Sequence, residues 1–275
     1  MKIIVVGFGK VGYVLAEQLN NEGHDLTVID TNENRMQYAI SQLDIQAITG
    51  NGTSYLTQME AGIKDSDLLV AVTDKDEINL LSCLIAKKAG NCHTIARVRD
   101  PGYFKEISFI KKELGLSMSI NPELAAAIEM THLIQVPSAM EIDTFARGRV
   151  NLIKFKVPDN SPILNIKVSE NQLLRNCLLC VVQKKDKKIV IPDGNTVIEE
   201  GDVVSAIIPL NRIFKFFSSI GIKTRPIRNV LIVGGGTISY YLAESLIRSH
   251  IKVKIIEQKR SRCDELSELL PVAMI

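Results

Sequence analysis

Lys2 to Asp30 read KIIVVGFGKVGYVLAEQLNNEGHDLTVID, an apolar run that stops at Gly7, a helical stretch, and a second apolar run that stops at an acid. Short runs that are apolar at every position are strands buried on both faces. Between them, Gly7-Phe8-Gly9-Lys10-Val11-Gly12 falls where the first strand turns into the helix, and Asp30 closes the next strand about twenty residues on. Each position in this G-x-G-x-x-G pattern has a physical task. Gly7 permits the sharp turn, Gly9 lets backbone approach a pyrophosphate, and Gly12 lets the helix pack closely on the strand, while the helix N-terminus offers N–H donors and positive dipole. Asp30 can accept both ribose hydroxyls. It also repels a 2'-phosphate, which favours NAD or NADH over NADP, with ATP or ADP sharing the same adenosine ribose.

The alternation continues outward through Glu33 to Gln42, IQAITG, Tyr55 to Ala61, DLLVAVT, Glu77 to Ala89 and HTIARVR. Five strand-like runs with intervening helices predict a doubly wound, parallel-sheet, Rossmann-like α/β domain. Ligands bind at the C-terminal ends of such strands, where Gly50-Asn51-Gly52-Thr53, Thr73-Asp74 and Arg97 fall. Arg97 could reach phosphates, and Asp74 could contact adenine or a partner subunit, although each taken singly is as readily a loop or edge residue. Pro122 to Ile134, with Asn121 as N-cap and Pro137 beyond, predicts a helix leaving the domain.

After about Ala139 the texture changes. VNLIKFKV, CLLCVVQKKDKKIVIP and TVIEEGDVVSAIIP are β-type runs joined by tight polar turns, followed by a helix from Leu210 to Ser219, which predicts a small α+β domain. Lys184-Lys185-Asp186-Lys187-Lys188 reads as a solvated hairpin tip. Cys177-Leu-Leu-Cys180 reads as core strand, where residues three apart face opposite ways. A linker, Gly221 to Arg228, leads to an ungapped repeat of the opening unit. Gly7 matches Gly234, Gly9 matches Gly236, Tyr13 matches Tyr240 and Asp30 matches Glu257, in a loop that reads Gly234-Gly235-Gly236-Thr237-Ile238-Ser239. Serine replaces the third glycine, and strands four and five have no counterpart, so weak or no nucleotide binding is expected there. The predicted units are 1–139, 140–223 and 228–275, the last an incomplete second Rossmann-like unit.

Composition bounds the function. The 275 residues carry a net charge of +2 with Lys and Arg dispersed, which supplies no field to draw nucleic acid. None of the apolar runs approaches the roughly 18–20 residues of a membrane span, and the N-terminal run lacks signal-peptide form. Five cysteines, an odd number in mostly apolar contexts, suit a reducing compartment, so a cytoplasmic location is expected. His24, His93, His132 and His250 read as surface or structural; Glu123, Glu129 and Asp143 offer carboxylates near the interdomain region, which a capped helix with exposed acids explains equally well; and neither a nucleophilic triad nor a metal-ligand motif is visible. The expectation is a protein that is not an enzyme.

IIVVGFGKVGYVLAEQL, VIDTNENR, GNGT, LLVAVTDKDEINLLSCLIAKK and IARVRDP, with PILNIKV, Pro192-Asp193-Gly194-Asn195-Thr196 and Glu200-Gly201-Asp202 downstream, resemble the nucleotide-binding regulators of Trk potassium uptake systems, built from RCK-type (KTN) domains. The resemblance covers nearly the whole chain. It implies alternating N- and C-terminal RCK subdomains, with the chain stopping inside the second N-terminal one. It also implies cofactor contacts at Gly7, Phe8, Gly9, Lys10, Val11 and Gly12 around the pyrophosphate, Asp30 at the ribose, Thr73 and Asp74 along the cleft, and Arg97 at the phosphates. Gly234, Gly235, Gly236, Thr237, Ile238 and Glu257 are the second-site equivalents. The implied partner is a membrane potassium-translocating subunit, TrkH/TrkG-like. Homo-oligomeric RCK rings would sit at the inner face of the membrane, and NAD(H) or ATP/ADP would shift their conformation. One rival is an NAD-dependent dehydrogenase with residues 141–221 as substrate domain, which needs an acid/base group at the nicotinamide end. Another is a redox-sensing DNA-binding repressor, which needs a helix-turn-helix.

Overall fold

The computed structural model describes residues 1–145 and 150–275, so residues 146–149 of the expected 140–223 domain lie outside the described residues. The chain divides into two compact units, Met1–Ala125 and Ala126–Ile275. The first runs β1 (Lys2–Val6), α1 (Lys10–Asn21), β2 (Asp25–Asp30), α2 (Glu33–Gln42), β3 (Gln46–Thr49), α3 (Tyr55–Glu60), β4 (Leu68–Ala71) and α4 (Asp76–Ala89). It continues with β5 (His93–Arg97), α5 (Pro101–Lys105), α6 (Ile107–Leu114) and β6 (Met118–Ile120), and α7 (Pro122–Gln135) follows.

The sheet order is β3-β2-β1-β4-β5-β6, with every pairing parallel. Side chains alternate across a strand, so Ile4 and Val6 join Leu69, Cys83 and Ala86 in one core layer. Ile3 and Val5 join Ala16, Val28 and Val70 in the other. That double burial explains why β1 and β2 are apolar at nearly every position. The order reverses between β1 and β4, which opens a crevice beyond their C-terminal ends.

Six strands stand where the sequence suggested five. β6 has three residues, none fully buried, which is too short and too mixed for periodicity to reveal. The α5 and α6 segment preceding it was also unread, although Asp100 caps α5 through the Gly102 N–H at 2.8 Å and Pro101 stands at its first turn. Asn121 caps the next helix as expected, accepting from the Leu124 N–H at 2.9 Å.

In the second unit, β7 (Glu141–Phe145), β8 (Val150–Lys156), β9 (Leu178–Gln183), β10 (Ile189–Val190) and β11 (Val203–Ile207) form an antiparallel sheet in the order β10-β9-β11-β8-β7. Its core holds Phe155 against Phe217 of α8 (Ile213–Ser219), ring centroids 5.3 Å apart. One expectation is corrected at the β9–β10 hairpin. Lys184 is not a solvated tip residue, because its Nζ donates to Asp202 at 2.8 Å, to Glu199 at 3.1 Å and to the Val197 carbonyl at 2.9 Å. Asp202 is only 1% exposed, so the pair is an internal brace. Cys177 and Cys180 are free thiols, and burial pushes Cys177 up to about 11. After 228 come β12 (Asn229–Val233), α9 (Thr237–Arg248), β13 (Lys252–Ile256) and α10 (Arg260–Leu269), the two strands pairing in parallel.

Candidate functional site

Gly7 ends β1 with φ +97°, a left-handed conformation that glycine adopts without strain, and its N–H donates to the Ile29 carbonyl at 2.8 Å. A Cβ on Gly12 would collide with the Gly7 carbonyl oxygen, so α1 reaches β1 only because that atom is missing. Gly9 differs. It borders the crevice, and a Cβ there would meet nothing within 4 Å, which leaves room for a ligand to approach the backbone.

Asp30 anchors this loop from β2. Its Oδ2 accepts from the Phe8 N–H at 2.7 Å and its Oδ1 from the Asn32 N–H at 2.9 Å, with the Arg35 guanidinium 3.4 Å from Oδ2. The carboxylate therefore fixes the glycine loop, and the residue that carries it lines the crevice. Further along, Asn79 of α4 is fully buried and makes four bonds. It accepts from the Thr73 N–H at 2.8 Å and the Thr73 hydroxyl at 2.7 Å, and donates to the carbonyls of Thr73 at 3.3 Å and Arg97 at 2.9 Å. It thus ties the C-terminal ends of β4 and β5 together. Asp76 works beside it, accepting from the N–H groups of Arg99 and Asp100 at 2.7 Å each.

These elements bound a cleft of about 610 Å³. Gly7, Gly9, Lys10, Val11, Asp30, Thr73, Asp74 and Arg97 all line it, together with Gly50, Asn51 and Gly52. Phe8 and Gly12 do not line it. Phe8 is buried behind the loop against Tyr13, ring centroids 5.7 Å apart, and contributes its N–H to Asp30, while Gly12 serves the helix–strand approach. Arg97 donates through Nη2 to the Glu123 carboxylate, and the two side chains are 12% and 14% exposed. Of the two readings open for Glu123, the exposed acid is the one the structure corrects.

Sequence reasoning missed Asn79, Asp76 and Arg35, and named Glu123 without its partner Arg97. A polar residue on the inward face of an apolar helix is the available signal for the first two, in DKDEIN, since a buried polar group needs partners.

Gly234 to Ile238 and Glu257 lie in the second unit and repeat the first loop's bonding. Gly234 has φ +102° and donates to the Ile256 carbonyl at 2.8 Å; Glu257 accepts from the Gly235 N–H at 2.7 Å and the Lys259 N–H at 2.8 Å. Those backbone donors, Lys259 first, hold the Glu257 carboxyl below its ordinary range. The Arg262 Nε also donates to the Gly235 carbonyl at 2.7 Å, whereas the matching Arg35 of the first unit reaches Asp30.

Among the described residues no cluster of His, Cys, Asp or Glu could hold a metal ion, and no helix is long and apolar enough to cross a membrane. The cleft brings together a glycine loop at a helix start, an accepting carboxylate and dispersed cations, a lining suited to recognising a phosphorylated ribonucleoside.

Residues 3–122 and 230–275 match the TrkA-N domain model, and residues 152–221 match that of the TrkA-C domain. The Trk system potassium uptake protein TrkA of Halomonas elongata is 36% identical over 98% of this chain and 60% of its own length. A TrkA homolog of Archaeoglobus fulgidus is 36% identical over 97% of this chain and 60% of its own length. The chain thus spans about 60% of the length of these curated relatives. The GsuK channel bound to NAD superposes with a TM-score of 0.63 over 94% of this chain and 46% of that one, at 16% identity, a likeness of fold.

Proposed function

This chain belongs to the TrkA family, and from that premise we propose that it is a regulatory subunit of a Trk-type potassium uptake system that binds NAD or NADH in its first unit. The observation that carries this reading is Asp30, a carboxylate that braces the glycine loop by the Phe8 N–H at 2.7 Å while lining the cleft. Asp30 would hold the adenosine ribose, and the backbone around Gly9, Lys10 and Val11 would face the pyrophosphate. The cradle fits such a group, since Gly9 borders the cleft and carries no Cβ to obstruct it. The relatives' TrkA names and the GsuK channel's bound NAD support the same reading. ATP or ADP would share the ribose contact.

The units act as a homo-oligomer at the inner membrane face, on a TrkH/TrkG-like potassium-translocating subunit, and the division at 1–139, 140–223 and 228–275 belongs to this proposal. Regulation requires that the nucleotide bind two arrangements of the assembly with different affinity, because a ligand indifferent to them shifts nothing. Calorimetric titration with NADH, NAD, ADP and ATP, beside Asp30→Ala, tests the site. Saturable binding lost in the variant is expected, together with altered potassium uptake in cells carrying it. Unchanged binding in Asp30→Ala would refute the assignment. Steady oxidation or reduction of a metabolite with the bound nucleotide would favour the dehydrogenase alternative.

A further inference from the structure

Beside the nucleotide cleft the first unit carries a second depression of about 520 Å³, lined by α1, α2 and the loops that lead into them. Its wall is aromatic. Phe8, Tyr13 and Tyr38 follow one another across it, ring centroids 5.7 Å and 5.9 Å apart, and Tyr38 leaves 51% of its surface in water. Among the described residues lining this groove the charged ones are Lys10 and Arg35, both cations. Arg35 reaches Asp30 at 3.4 Å with half of its side chain exposed, while Lys10 has no ion-pair partner among the described residues. The carboxylate next to the groove, Glu17, is taken up by the Tyr13 hydroxyl at 3.1 Å.

The ungapped repeat shows the same place closed. Arg35 and Tyr38 match Arg262 and Glu265, and Tyr13 matches Tyr240. In the second unit the Arg262 Nη1 pairs with Glu265 at 2.6 Å, its Nε donates to the Gly235 carbonyl at 2.7 Å, and Tyr240 is only 2% exposed. That arginine is spent on its own helix and loop. In the first unit the acid is replaced by an exposed tyrosine, which takes up no charge, so ring and cation both stay open to solvent. Exposed tyrosines beside cations are the composition of a protein-binding surface, and with no acid in the lining the complementary partner is acidic.

Lys10 and Arg35 line the cleft as well as the groove. A carboxylate at Lys10 and a nucleotide phosphate at the start of α1 would draw on one cation, and whatever one ligand costs the other is returned in equal measure. We propose that the α1–α2 groove is a docking surface for an acidic, aromatic-bearing segment of a partner protein, and that nucleotide in the cleft weakens this docking. The second half rests on the reading that the cleft binds NAD or NADH; the first half does not.

The probe is a fluorescently labelled random copolymer rich in glutamate with a minority of tyrosine, titrated with the full chain at low salt and followed by anisotropy, beside polylysine. The parent should bind the copolymer and leave polylysine free. Tyr38→Glu places the second unit's acid beside Arg35, and Asn34→Glu adds a like charge at a residue that lines the groove and not the cleft. Each variant should melt like the parent, bind the copolymer about tenfold more weakly and keep NADH affinity within about threefold. Saturating NADH should weaken copolymer binding to the parent by about tenfold, and in Asp30→Ala, which loses NADH, the addition should change nothing. A parent that ignores the copolymer, or two variants that bind it as the parent does, overturns the groove. Phosphatidylserine vesicles that bind the parent but not the variants, where the copolymer does not bind, would assign the groove to a lipid surface and overturn the partner. NADH that binds without weakening the copolymer overturns the competition alone. A parent that binds no NADH overturns the nucleotide reading, and the two groove variants still decide the docking surface.

Discussion

Two glycines in one motif have separable duties. A methyl on Gly12 would collide with the Gly7 carbonyl oxygen, whereas one on Gly9 would meet no protein atom within 4 Å. Gly12→Ala is therefore expected to cost roughly 1–3 kcal/mol through forced separation of α1 from β1, read as a lowered melting temperature. Gly9→Ala should melt like the parent and lose NADH affinity in titration. If both variants melt normally, the close approach at Gly12 is not what holds the helix. The two acids compare in the same way. Glu257 takes N–H bonds from Gly235 and Lys259 as Asp30 does from Phe8 and Asn32. The shift at Glu257 is downward, so its contribution to stability is present above the unfolded-state value and is lost as pH falls through the folded one. Carboxyl NMR titration should place Glu257 below an ordinary exposed glutamate, and Lys259→Pro, which deletes one of its two backbone donors, should return it toward that range.

At the scale of elements, α4 is the piece that shapes the far half of the cleft. Asn79→Leu removes four hydrogen bonds and strands the Thr73 N–H and the Arg97 carbonyl. A loss of roughly 1–3 kcal/mol is expected, with faster hydrogen exchange at the Thr73 amide, and unchanged exchange there would show that the strand ends hold without it. β1 to β5 and the helices between them were legible because β1, β2 and β4 are apolar at nearly every position, the shorter and more mixed β3 and β5 fall between helices in the same alternation, and each turn carries glycine or an acid. Asp30 was legible because the fingerprint fixes its distance from the glycines. β6 was not, since three partly buried residues make no period. Lys184 was misread, and the partner of Glu123 was not foreseen, for one shared reason. A charged residue on a helix start or a hairpin reads as solvated until a partner distant in sequence is known, and Arg97 lies 26 residues from Glu123 while Asp202 lies 18 from Lys184.

For the whole molecule, the two compact units carry separate cores, Ile4, Val6 and Leu69 among the residues of one and Phe155, Phe217 and Val204 among those of the other. Residues proposed to hold the nucleotide all belong to the first. A ligand stabilises what it binds in the native state by an amount set by its concentration over Kd, about 2.7 kcal/mol at a hundredfold excess. That free energy enters the opening equilibrium of the first core directly, so amides of β1 and β4, such as Val5 and Val70, should exchange about a hundredfold more slowly with NADH at that excess. Amides of β8 and β11, such as Phe155 and Val204, report the second core and should be unaffected. Hydrogen–deuterium exchange with mass spectrometry separates the cases, and Asp30→Ala should abolish the slowing in β1 and β4. Equal slowing in both sets would mean that the units open as one, in which case nucleotide bound at Asp30 already acts on the second core and the regulatory signal needs no further relay within the chain.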